Sequence, residues 1–299
     1  MMQRSDWAGV FAAITTPFQE DGGVDEAFLA AHVAWLLERG TRGIVALGSL
    51  GEGATLTAPE KRRILEVCRS ATGGAPLVAG ISGLSTAECV ALARTAEEVG
   101  CDGLMVLPPY VYRTDPRETA AHFDAVLDAT GLSCMIYNNP VAYGTDLSAH
   151  DVAALAERHA NVHAVKESSG DVRRLSALEE VMGDRLGRFA GLDDMALEAG
   201  AIGCDGWIAG LINALPEESV RLFTLAREGR MREARALYSW FLPMLRMDTV
   251  PKFVQLIKLA QAEVGMGSER VRPPRLPLEG QEREEALGVI RAQLAARPA

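Results

Sequence analysis

The stretch CMIYNNPVAYGTDLSAHDVAALAERHANVHAVKESSGD, residues 134–171, is one complete strand–helix–strand unit. It opens on an apolar run at 134–138 that ends in Asn139-Pro140. A helical stretch follows at 148–159, opened by Ser148, whose hydroxyl suits an N-cap. The chain then re-enters an apolar run at 162–166. Both runs are continuously apolar rather than alternating, which marks parallel strands covered on both faces.

Working outward, the same unit recurs in both directions. Strand-length runs stand at 10–14, 43–48, 76–81, 103–107, 188–192 and 206–210. Helical stretches separate them at 25–39, from near Pro59, and at 85–99, 116–129, 171–182 and 193–200, with Thr57, Ser85 and Asp171 as cap-type residues. Eight alternations predict an α/β fold, a (β/α)8 TIM barrel with additional C-terminal helices. A doubly wound sheet is the rival. It calls for a phosphate loop after its first strand, where this chain reads ITTPF. The predicted catalytic barrel occupies 1–225. A helical extension occupies 226–299, within further helical stretches at 216–246, 250–264 and 281–296.

The chain has 299 residues, 48% of them hydrophobic, and a formal net charge of −10 with Lys and Arg scattered. That balance argues against nucleic-acid and membrane surfaces. No apolar run reaches the roughly 20 residues of a membrane span, and MMQRSDWAGV carries no signal-peptide core. Five cysteines without a CxxC predict reduced, mostly buried thiols in a cytoplasmic protein. The histidines show no metal-ligand spacing, so no metal is expected.

A barrel of this kind places its chemistry at the C-terminal ends of its strands. Lys166 ends the sixth run. An ammonium among apolar neighbours is costly to keep charged, which favours a nucleophilic amine able to form a Schiff base with a carbonyl. The alternative is a strand-end lysine paired with Glu167 or Asp194. Tyr137 lies one strand over at the same height and suits proton transfer, or simple packing with a bonded hydroxyl. The Gly-rich Gly48–Gly53 turn, with a hydroxyl in it, offers bare backbone N–H groups to a carboxylate, or is a plain connection.

Together these segments resemble the dihydrodipicolinate synthase / N-acetylneuraminate lyase family of class I aldolases, over essentially the whole chain. The similar segments are TPF at 16–18, GSLGEGATLT at 48–57, YNNP at 137–140, VKESSGD at 165–171 and GLDD at 191–194. The resemblance implies catalysis by Lys166, Tyr137 and Ser49 without cofactor: Lys166 as the imine-forming amine, Tyr137 as acid and base, and Ser49 as proton relay. It implies substrate contacts from Ser49, Leu50, Ser168, Gly191, Asp193 and Asp194, and a small 2-oxo acid as ligand. It also implies a homotetramer built from dimers, which light scattering reads directly; Leu84, Val111 and Tyr112 are apolar loop residues suited to such contacts.

Three departures stand out. Ala142 occupies the place of an arginine that holds the second substrate's carboxylate in dihydrodipicolinate synthases. Val111 replaces the second of two strand-four tyrosines, with Tyr112 one place on. Leu84 stands where an asparagine of the lysine-inhibition site is usual. The expected activity is therefore aldol cleavage or condensation with pyruvate or a hydroxylated 2-oxo acid. Dehydration or deamination of a 2-keto-3-deoxy sugar acid or a hydroxypyrroline carboxylate is the alternative. A true 4-hydroxy-tetrahydrodipicolinate synthase is less favoured, and a non-catalytic carboxylate-binding barrel least.

Overall fold

The computed structural model describes residues 2–298 and contains a closed barrel of eight parallel strands in sequence order. The strands are β1 (Gly9–Ala13), β2 (Gly43–Ala46), β3 (Leu77–Ile81), β4 (Gly103–Val106), β5 (Ser133–Asn138), β6 (Val162–Glu167), β7 (Gly187–Ala190) and β8 (Gly206–Ala209), with β1 closing onto β8. Thr57, Ser85 and Ser148 cap their helices as read, Thr57 and Ser148 through reciprocal bonds with Glu60 and Asp151.

Two apolar layers follow from the period of two along each strand. Phe11, Val45, Val78, Met105, Met135, Ala164, Phe189 and Ile208 fill the barrel interior, while their sequence neighbours pack against the surrounding helices. Trp7 plugs the lower end, edge-on to Phe189, with its indole N–H bonded to Ser133 Oγ at 2.7 Å. All five cysteines are free and buried, and burial pushes the Cys68, Cys101 and Cys204 thiols up to about 12. No helix among the described residues is long and apolar enough to cross a membrane.

Several boundaries differ from the sequence reading. The helical stretch at 216–246 is two helices, Pro216–Arg227 and Met231–Leu245, broken where Gly229 takes φ +72°. The expected division at 225/226 thus falls inside the last turn of the first of them. Residues 193–200 hold a 3-10 turn, Asp193–Met195, before the helix Ala196–Ala201. Asp171 does not cap in the usual way. The helix begins at Arg173, and Asp171 accepts from that residue's backbone and guanidinium. A helical turn at Pro140–Tyr143, held by Asn139 Oδ1 accepting from Ala142 N, was not foreseen.

Behind the mouth of the barrel, Asn213 donates to the carbonyls of Ala13 and Gly210 and so ties β1 to the turn after β8. His32 backs this residue, its Nε2 lying 3.1 Å from Asn213 Oδ1. Burial lowers the His32 pKa from 6.5 to about 4. The unfolded chain therefore takes up this proton near 6.5 and the folded chain only near 4. Between those values the unfolded state binds more protons, so stability falls as pH falls, by up to about 3 kcal/mol. The expected result is that any stability deficit of His32→Gln shrinks between pH 6.5 and 4 in urea titrations; a constant deficit would contradict it.

Candidate active site

The chemistry stands directly above the inner layer. Tyr137 is two residues beyond Met135 on β5, and Lys166 two beyond Ala164 on β6, so both point inward. Their pairing depends on an irregularity. Cys134 faces Val162, but Met135 faces Ala164, skipping His163. His163 turns aside, with Nδ1 2.7 Å from Ser133 Oγ. In an unbroken ladder Tyr137 would face Val165; the skip sets it opposite Lys166.

Lys166 is 6% exposed, and its Nζ lies 4.2 Å from the centroid of the Tyr137 ring. Among the described residues it forms no ion pair. Glu167, the neighbouring carboxylate, is engaged elsewhere. It accepts from Asn138 Nδ2 at 3.0 Å and from Ser169 N at 2.6 Å. A buried amine with no direct ion pair, the Asp193 and Asp248 carboxyls acting on it only from beyond contact, is open to attack a carbonyl carbon.

The surroundings of Lys166 are close-fitting. A Cβ on Gly191 would fall 1.9 Å from Ser168 Oγ and 2.8 Å from Lys166 Cε, so only glycine leaves room here. Ser168 Oγ is fully buried without a hydrogen-bond partner, a group left to meet a ligand.

Opposite stands the loop after β2. Leu47 (φ +64°) and Glu52 (φ +55°) both adopt the left-handed conformation, and a Cβ on Gly53 would lie 2.2 Å from Leu47 O. Among the described residues nothing accepts from the N–H of Ser49 or Leu50, which leaves both donors for an anion. The loop is anchored from behind by Glu52, 1% exposed, which accepts from Lys258 Nζ at 2.7 Å and Arg272 N at 3.0 Å. Lys258 also donates to the carbonyls of Thr16 and Arg270. The C-terminal helices thus hold the anion loop in place.

The predicted Asp193 is brought close to Lys166, but its oxygens are taken. They accept from Trp207 Nε1 at 3.1 Å, Gly210 N at 2.9 Å and Leu211 N at 2.7 Å. Burial raises its pKa to about 6 against these donors. Its work is to fix the turn after β8. Asn213, equally buried and bonded to backbone, does the same. Asp194 is half-buried, and burial lifts its carboxyl despite the Arg246 charge nearby.

Sequence reading missed Asp248. From the turn Arg246–Thr249 it packs over β8, its Oδ1 2.3 Å from where a Gly210 Cβ would stand. Burial and the Asp193 charge hold its carboxyl well above the usual range, with Lys166 opposing. Nothing in RMDTVP singled it out. Lys258 did leave a signal, a lone charge in the apolar stretch FVQLIKLA at 253–260.

Tyr143 is the other unforeseen element. The turn Pro140–Tyr143 carries its phenol over the site, where it is hydrogen-bonded to Ser49 Oγ. Its ring meets that of Tyr137 edge-on at 5.8 Å and that of Tyr110 at 5.6 Å. Burial raises the phenol pKa, with Tyr137 and Tyr110 adding; the Ser49 bond and the Arg275 charge oppose. Outside Tyr143 lies an open cavity of about 510 Å³, lined also by Tyr110, Tyr112, Arg113 and Asp146. Ala142, Leu84, Val111 and Tyr112 are all exposed. A larger cleft of about 770 Å³ opens at the starts of the strands, beside Gly9 and Arg42, away from these groups. Among the described residues no cluster of three or more His, Cys, Asp or Glu side chains could hold a metal.

The chain is similar to known proteins over nearly its whole length. The family model described as Dihydrodipicolinate synthetase family matches residues 6–293. A 4-hydroxy-tetrahydrodipicolinate synthase from Pelobacter propionicus is 33% identical over 285 residues, covering 95% of this chain and 98% of that one. Another, from Methanopyrus kandleri, is 34% identical, covering 96% and 95%. Among solved structures, a prophage protein of the dihydrodipicolinic acid synthase family from E. coli K12, in complex with pyruvate, superposes with a TM-score of 0.90 at 28% identity, covering 96% and 98%. A chloride-inhibited dihydrodipicolinate synthase from Acinetobacter baumannii, complexed with pyruvate, gives 0.90 at 30% identity, with the same coverage. With its barrel closed and its lysine and tyrosine side by side at the strand ends, this chain belongs to the dihydrodipicolinate synthetase family and is a class I aldolase/lyase.

Proposed function

We propose that the protein cleaves or forms a carbon–carbon bond in a hydroxylated 2-oxo acid, with pyruvate as one partner, through an imine on Lys166. The observation that carries this reading is the unpaired Lys166 beside Tyr137, facing the free N–H groups of Ser49 and Leu50. The loop holds the carboxylate. The Lys166 amine attacks the C2 carbonyl, and the carbinolamine loses water as Tyr137 supplies a proton to the leaving oxygen. The protonated imine then withdraws the electron pair of the C3–C4 bond as the Tyr137 phenolate takes the C4 hydroxyl proton and an aldehyde leaves; the enamine is reprotonated at C3, and water hydrolyses the imine to release pyruvate and restore Lys166. Ser168, unpartnered beside Lys166, is placed to bond to the substrate.

The acceptor side supports a hydroxylated chain. Ala142 contributes no cation, and the turn after β7 presents the Asp194 carboxyl, which accepts from hydroxyls. A second reading, elimination of water or ammonia from the same imine, is favoured by one observation. Burial and the Asp193 charge raise the Asp248 carboxyl, which disposes it to donate a proton to a leaving group.

The test assays a panel of hydroxylated 2-oxo acids against aspartate semialdehyde plus pyruvate at equal concentration. Pyruvate release and dehydration are read in parallel. A partly buried arginine–carboxylate contact is worth a few kcal/mol, so its loss should leave aspartate semialdehyde about two decades poorer in kcat/KM. Efficient dihydrodipicolinate synthesis would contradict this and would show that Arg113 or Arg275 replaces the missing cation.

A further inference from the structure

We infer that Tyr143 completes the proton relay of this site from within the same chain, linking the Ser49 hydroxyl to the outer cavity. The inference rests on the imine reading above and deepens it. Three observations carry it. The Tyr143 hydroxyl is bonded to Ser49 Oγ, on the loop that holds the substrate carboxylate. The Tyr143 ring stands against Tyr137 and so beside the reacting carbons. Its other side lines the open cavity at the mouth. Lys166 and Tyr137 are themselves buried, at 6% and 4% exposure, so protons need a path between them and water. Tyr137 does not provide the exit, because its hydroxyl accepts from Asn139 Nδ2 at 3.0 Å on the far side of the turn.

The turn sequence explains the placement. Pro140 starts a single helical turn, Asn139 caps it, and Gly144 ends it at φ +72°. Tyr143 at its last position is thereby folded back over Ser49. With Tyr143 there, no tyrosine from a second copy is required.

The relay acts at enamine formation. A C3–H bond of the pyruvate imine breaks, its electron pair becomes the C2–C3 double bond, and the C2–N pair returns to nitrogen. The proton leaves toward Ser49, while Tyr143 passes one of its own to water and takes the Ser49 proton. Both relay hydroxyls end as they began, the cationic imine becomes a neutral enamine, water carries the proton away, and reversal in D2O places deuterium on C3. Tyr143 acts through Ser49 and is a positioning residue rather than one that touches substrate. The charged and titratable groups facing it are Tyr137, Tyr110 and Arg275.

The experiment uses pyruvate alone, with methyl deuteration followed by proton NMR in D2O and imine trapped by borohydride in parallel. Tyr143→Phe keeps the ring contacts and removes the hydroxyl. Exchange should slow about 10²-fold, at the low end of an acid–base effect, while trapping at Lys166 stays within about twofold of wild type. Ser49→Ala should slow exchange similarly and Ser49→Thr should restore it. The Ser49→Ala, Tyr143→Phe double variant should be no slower than either single one, because the two hydroxyls act as a unit. Wild-type exchange in Tyr143→Phe would overturn the inference, as would multiplicative losses in the double variant. So would slowing by Tyr112→Phe in place of Tyr143→Phe, which would make a neighbouring copy the donor. In those cases trapping at Lys166 persists and the imine reading stands. Absence of both trapping and exchange in the wild type removes the imine reading and this inference with it.

Discussion

Lys166→Ala is expected to reduce turnover by roughly 10⁴-fold or more, the scale seen when a covalent nucleophile is removed. Lys166→Arg should not recover it, since a guanidinium is no nucleophile near neutral pH. The same change should leave the fold intact. Lys166 makes no ion pair among the described residues and lies at 6% exposure, so its amine is held at a cost rather than as a support. Lys166→Met, which keeps the stem and drops the amine, should therefore unfold at the wild-type temperature or above it. Loss of activity with equal or greater stability is the mark of a group kept for chemistry. A clear fall in melting temperature for Lys166→Met would instead assign it a structural role.

Lys258→Met should have the opposite profile. Lys258 is 2% exposed, and its ammonium donates to Glu52 Oε1, Thr16 O and Arg270 O. Its Nζ also lies 4.5 Å from the Phe18 ring centroid. Burial lowers its pKa while Glu52 opposes. Removing one partner of a buried pair strands the other charge, at about 3–5 kcal/mol. Arg272 N and the more distant Arg275 (3.8 Å) still face Glu52, which places the expected loss near the lower end. The Gly48–Glu52 loop should also lose its brace, raising KM for the 2-oxo acid more than it lowers kcat. Urea unfolding checks the first part and steady-state kinetics the second. A stability change below about 1 kcal/mol would show that the pair contributes little.

The two profiles bear on how much the sequence could reveal. The eight apolar runs and their helices were legible because a strand buried on both faces is continuously apolar and a helix facing it is amphipathic. Lys166 and Tyr137 were legible because each breaks such a run at its end. Their mutual alignment was not, since it depends on the skip at His163, which apolarity does not encode. Asp193 was read as a substrate contact because GLDD at 191–194 is similar to a family segment. The three N–H donors around it come from residues 14 to 18 positions further on, where no spacing rule applies. The Pro140–Tyr143 turn is too short to show periodicity, so nothing in the sequence placed Tyr143 over Ser49. Asp248 and Lys258 reach the site from the C-terminal helices, whose packing onto the mouth follows from tertiary contacts alone.

The central claim is that Lys166 forms the covalent intermediate. The most direct measurement is incubation of the protein with pyruvate and sodium borohydride, digestion, and mass analysis of the peptides. A stable adduct of one reduced pyruvate on the peptide containing Lys166, absent without borohydride and absent in Lys166→Ala, is the predicted result. An adduct on another lysine, or none with pyruvate or any other 2-oxo acid tested, would contradict it.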